Sequence, residues 1–137
     1  MITEAFIKGR FDFGKGKCAV VIVEEGEIVN QHSWAAPPTW QYDGVNILCD
    51  QFNCEILAAC YAAKWCLNNG RNALNIYANT TSCQKWYYRR EFPEERIMGK
   101  AFNDSAVGLD VFSEYVPKSD EGEFNQLVNE LAMNVIA

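Results

Sequence analysis

The chain has 137 residues, 18 acidic against 12 basic side chains, and a formal charge of −6. That length suits a single domain, residues 1–137, with a core that needs no staples, and the acidic balance argues against a general nucleic-acid binder with a basic face. No apolar run reaches the roughly 20 residues of a membrane span. The opening MITEAFIKGR lacks the regions of a secretory signal, so a soluble cytoplasmic protein without membrane contact is expected.

Residues 3–12 read as a first strand, with Ala5, Phe6, Ile7 and Phe11 as its apolar members. Cys18 to Glu24 reads as a second strand, and Glu27 to Ala36, alternating, as a third. Gly26 between them is free to take positive φ in a tight turn. Three strands joined by short turns make an antiparallel meander, which Pro37 and Pro38 end because neither can donate to a ladder. From Asn53 to Asn69, Ile56, Ala59, Cys60, Ala63 and Leu67 recur at helical spacing, and Gly70 supplies the stop. A short strand, ALNIYAN, follows and ends at Asn79.

Thr80 and Thr81 can open another helix through Trp86, and PEERIMGKAF allows a further turn or two. Leu109 to Val116 reads as the last strand. A closing helix puts Phe124, Leu127, Val128, Leu131 and Val135 on one face. The order is βββαβαβα. A strand–helix–strand unit after a meander implies a right-handed crossover and parallel pairing of the later strands. The expected class is mixed α/β, a five-stranded mixed sheet with helices on both faces.

The cysteines are Cys18, Cys49, Cys54, Cys60, Cys66 and Cys83, without a CxxC pair, and His32 is the only histidine. A Cys/His zinc site therefore lacks its usual spacing, and reduced core thiols are expected. His32 reads as a surface strand residue. In YYRR, Arg89 and Arg90 adjoin Tyr87 and Tyr88, a combination that grips a phosphate and stacks on a base. The plainer reading is a solvated helix face, offset by the acids of EFPEER.

Several stretches together resemble the ribonuclease H-like family. AFIKGRFD is similar to its first strand, in which a hydrophobic run leads to Asp-Gly-Ser. Gly9 is kept, while Lys8 takes the aspartate position and Arg10 the serine. NCEILAACYAAKWCLNNG resembles the family's first helix, with Asn and Glu before an alanine-rich run. LNIYANTTSCQKWY resembles the fourth strand and its exit, with Asn79 at an aspartate position and Trp86 at a recurrent tryptophan. VPKSDEGEFNQLVNELA resembles the closing loop and helix. The resemblance spans nearly the whole chain and implies cleavage of the RNA strand of RNA–DNA hybrids with two metal ions, usually magnesium.

The implied catalytic positions are Lys8, Glu55, Asn79, Ser119 and Asn129, and of the four carboxylates only Glu55 remains. Magnesium prefers oxygen ligands, and a pair of ions needs anions to offset its charge. Three explanations stand open. Asn79 and Asn129 can be engineered changes, although Lys8 and Ser119 do not fit that pattern. Asp12 can stand in for Lys8, although it lies roughly 13 Å further along the strand. The third is natural loss of catalysis, with the Lys8 ammonium in the metal pocket beside Glu55, Asn79 and Asn129; this is the preferred account, and it needs no metal or other cofactor.

A silent version implies a scaffold with a protein partner or homo-oligomer, with Trp34, Trp40, Tyr42, Tyr87 and Tyr88 as candidate surface or as edge packing. It also admits binding of RNA–DNA hybrid or double-stranded nucleic acid through Lys8, Arg10, Lys85, Arg89 and Arg90. The alternative is an active ribonuclease H with an unusual site and bound magnesium.

Overall fold

Alternating apolar and polar residues make Thr3–Asp12 a ten-residue strand, β1, that buries Thr3, Ala5, Ile7 and Gly9 on one side. The computed structural model describes residues 1–78, 93–116 and 122–136. Strand β2 (Lys15–Glu24) pairs antiparallel with β1, and β3 (Glu27–Ala35) antiparallel with β2. Lying between two strands and covered on both faces, β2 is buried without a break from Cys18 to Glu24, as a central strand must be. Its even residues Val20 and Ile22 join one apolar cluster, its odd residues Ala19, Val21 and Val23 the other.

A short hairpin follows, β4 (Thr39–Tyr42) and β5 (Val45–Leu48), which forms its own two-stranded sheet. The sequence reading placed no element there. The signal was present: Asp43-Gly44 between alternating residues is a hairpin turn, and both take positive φ.

Helix α1 (Gln51–Asn68) begins two residues before its expected start, because Asp50 caps it by accepting the Asn53 N–H at 2.9 Å. Gly70, at φ 71°, ends it. There the Arg71 N–H reaches the Cys66 carbonyl at 2.8 Å and the Gly70 N–H the Leu67 carbonyl at 3.2 Å, the paired bonds of a Schellman stop. Ala58, Ala59, Ala62 and Ala63 are fully buried, so the helix lies close to the sheet, whereas Leu67, expected on the inner face, is 38% exposed.

Strands β6 (Ala73–Ala78) and β7 (Asp110–Tyr115) run parallel to β1, giving the order β3-β2-β1-β6-β7. Helix α2 (Pro93–Ser105) is longer than the turn or two expected. Helix α3 (Glu123–Met133) stops before Val135. Helices α1 and α2 cover one face through Ile56, Met98 and Phe102 against Ile7, Val20, Leu74 and Ile76. Helix α3 covers the other through Val128 and Ala132. The expected mixed sheet with helices on both faces is the observed one. No helix among the described residues is long and apolar enough to cross a membrane.

Candidate nucleic-acid interface

Gly9 sets how close β1 comes to α1. A Cβ at this position would stand 2.2 Å from the Gln51 carbonyl oxygen and 2.4 Å from the Glu55 nitrogen, so no other residue permits the approach. Gly16 on β2 does the same, its added Cβ falling 2.5 Å from the Cys49 carbonyl oxygen. These contacts seat the first turns of α1 on the ribbon and place Glu55, 1% exposed, beside the Lys8–Gly9 step. Lys8 is half-buried and lies on the α3 side of the sheet: it pairs with Ala19, which packs against Val128 and Ala132. Asn125, buried, and Asn129, half-buried, are one turn apart on α3.

The ribbon also carries cations that the sequence reading missed. Register pairs Arg10 with Lys17 and Asp12 with Lys15. Since alternate strand residues share a face, Lys8, Arg10, Lys15 and Lys17 stand together on one side of β1–β2. Cations directly opposite each other repel, and Asp12 offsets part of this. Arg10 Nε donates to Asp12 Oδ2 at 2.5 Å, and Lys17 Nζ lies 3.6 Å from the same oxygen. The Arg10 hydrogen bond, with the Arg10 and Lys17 charges, holds the Asp12 carboxyl below its ordinary range against a smaller opposing effect of burial. Four cations against one carboxylate leave this ten-residue stretch at +3, in a chain of −6. Asp12, a candidate substitute metal ligand by sequence, is turned instead to these cations.

Lys15 and Lys17 went unread because the turn joining the strands is Phe13-Gly14, with φ of 53° and 74°. Asn-Gly or Asp-Gly would have announced it; phenylalanine there does not. Asn79, Ser119, Lys85, Arg89 and Arg90 lie outside the described residues, as do Trp86, Tyr87, Tyr88 and the expected helix at 80–86. Among the described residues, no group of three or more His, Cys, Asp or Glu side chains is placed to hold a metal ion.

Trp34, Trp40 and Tyr42 pack as partly buried rings against the main core. The Tyr42 hydroxyl donates to Asp104, and Lys100 binds Asp43 at 2.7 Å, so the tip of the β4–β5 hairpin is tied to α2. Under the hairpin is a cleft of about 270 Å³ lined by Trp34, Trp40, Leu57, Tyr61 and Lys64 among others. His32 is exposed, as expected, and stacks on Trp34 and Tyr61 at 5.0 and 5.1 Å. Cys18, Cys49, Cys54, Cys60 and Cys66 are free and buried. Burial pushes the Cys49, Cys60 and Cys66 thiols up to about 11, while contact with Cys54 and then burial raise Cys18.

No family model matches the chain, and no curated protein matches it. Solved structures do. Ribonuclease H1 of the halophilic archaeon Halobacterium salinarum superposes with a TM-score of 0.74 at 16% identity, over 97% of this chain and 96% of that one. The N-terminal RNase H domain of a Mycobacterium tuberculosis protein, solved as a maltose-binding-protein fusion, gives 0.77 at 9% identity, over 97% and 91%. LC11-RNase H1, solved in complex with an RNA/DNA hybrid, gives 0.68 at 13%, over 96% of each chain. The chain therefore has a ribonuclease H-like fold along nearly its whole length, as the sequence motifs led us to expect.

Proposed function

We propose that this chain is a non-catalytic ribonuclease H-like protein that binds nucleic acid, first of all an RNA–DNA hybrid, along the β1–β2 ribbon. The observation that carries this reading is the row of Lys8, Arg10, Lys15 and Lys17 on one face of that ribbon, in a chain that is acidic overall. A local row of cations grips a phosphate backbone by releasing its counterions, whatever the total charge. A similar fold solved with an RNA/DNA hybrid supports the choice of that ligand.

The loss of catalysis is argued from the donor set. Of the five positions that match the family's catalytic residues, only Glu55 carries a carboxylate; Asn79 and Asn129 are neutral, and Lys8 adds a positive charge. Two magnesium ions do not suit such a set, because hard cations need anionic oxygen and are repelled by a tethered ammonium. On this reading Lys8 offers the substrate phosphate a fixed cation in place of a mobile one.

Fluorescence anisotropy with an end-labelled hybrid tests both halves. The expected result is a salt-sensitive complex that Lys15→Glu with Lys17→Glu weakens at least tenfold, with the RNA strand intact in magnesium or manganese. RNA fragments would establish a working ribonuclease H, and absence of binding at low salt would remove the reading.

A further inference from the structure

Among the described residues, three hairpins turn on the same two-residue pattern, a non-glycine residue at φ near +50° followed by glycine at +74° to +80°: Phe13-Gly14, Glu25-Gly26 and Asp43-Gly44. Glu25 and Asp43 fill the first position with polar side chains. Phe13 fills it with an aromatic one, and a bulky residue at positive φ is strained. Phe13 is 102% exposed and buries no part of its ring, so no packing among the described residues offsets that strain. The turn itself does not require it, as its two sister turns demonstrate. Phe13 thus bears a backbone strain and returns no buried area for it.

Its surroundings say what the ring is for. Asp12 and Lys15 flank the turn, and Arg10 and Lys17 pair one strand step behind them. A row of cations that ends in an exposed aromatic ring is the composition of a single-strand binding surface: the cations hold phosphates and the ring stacks on a base. A continuous duplex has its bases stacked on each other and offers none to Phe13. We propose that Phe13 is a stacking platform for an unpaired base, so that the chain prefers nucleic acid with a single-stranded extension over a blunt duplex. The inference rests on the nucleic-acid reading above and names the form of ligand that reading leaves open.

The same cations and ring also suit an anionic lipid surface, so the test includes one. Three probes are compared at low salt: a blunt labelled RNA–DNA hybrid, the same hybrid with a single-stranded extension, and phosphatidylserine vesicles. The wild-type chain is expected to bind the extended hybrid more tightly than the blunt one. Phe13→Ala is expected to weaken the extended hybrid about 5- to 150-fold, the range for loss of one stacked base, and to change the blunt hybrid by less than about twofold. Phe13→Leu, apolar but without a ring face, is expected to behave like Phe13→Ala, and Phe13→Trp like the wild type. Because Phe13 is outside the core, all three variants are expected to melt as cooperatively as the parent. Equal affinity for the two hybrids, or Phe13→Leu binding as well as wild type, overturns the stacking role while nucleic-acid binding stands. Failure to bind either hybrid overturns both. Vesicle binding that depends on Phe13, without hybrid binding, assigns the ring to a membrane surface instead.

Discussion

At the scale of single residues, Gly9 has the most definite role in the structure. Its added methyl would meet the backbone of α1, which cannot swing aside as a flexible side chain would. Gly9→Ala is expected to cost about 1–3 kcal/mol, read as a lower midpoint in urea denaturation, and to disturb the placement of Glu55. The motif letter was legible in the sequence, but the distance that demands glycine was not. Lys8 is the complementary case. A lysine beside the glycine of this strand was plain in the sequence, whereas its companions Lys15 and Lys17 emerged only once register was known. Placing carboxylates there by Lys8→Asp, Asn79→Asp and Asn129→Asp together is expected to create magnesium binding detectable by calorimetry, absent from the parent. Magnesium binding to the parent chain would contradict the donor-set argument. Thiols buried in the core are out of a reagent's reach, so Cys18, Cys49, Cys54, Cys60 and Cys66 are expected to react with a thiol reagent only on unfolding.

Among the elements, α1 was the most legible because its apolar residues keep a 3.6-residue period and Gly70 closes it. Its start was misplaced because the capping Asp50 precedes Phe52, which is half exposed and carries no periodic signal. Asp50→Ala is expected to cost about 1 kcal/mol through loss of the cap, measured by thermal or chemical unfolding. The β4–β5 hairpin escaped notice because two four-residue strands give little alternation to read. A different tie joins the far ends of β1 and β2 to the exit of α1. Glu24, buried, accepts from Thr3 Oγ1 at 2.7 Å and from Arg71 at 2.6 and 2.9 Å. The Arg71 hydrogen bonds, opposed by burial and aided by Thr3 and the Arg71 charge, hold the Glu24 carboxyl below its ordinary value. A carboxyl lowered by folding adds stability that is complete above the ordinary carboxylate range and is lost as pH falls through its folded value. The stability of Glu24→Gln, followed from pH 7 into the acid range, is therefore expected to fall less steeply than that of the parent. An acid limb as steep as the parent's would deny Glu24 this role.

For the molecule as a whole, the order of strands and helices was readable because each long element kept its own period, and parallel pairing followed from the crossover rule. The candidate surface was only partly readable. It is made of residues from two strands and their turn, spread over a ten-residue stretch of sequence and brought to one face only by register. Overall charge hides the ribbon for a related reason: a total of −6 averages away a local +3 on β1–β2. Counterion release makes that distinction measurable, since affinity carried by a few phosphate contacts falls steeply with salt. The most direct test of the central claim is the anisotropy of an end-labelled RNA–DNA hybrid with the full chain in magnesium, followed over salt concentration and time. Our account predicts a complex that weakens as salt rises, weakens further when Lys15 and Lys17 are reversed to glutamate, and leaves the RNA uncut. No complex at low salt, or an anisotropy that decays as the RNA strand is cleaved, would contradict it.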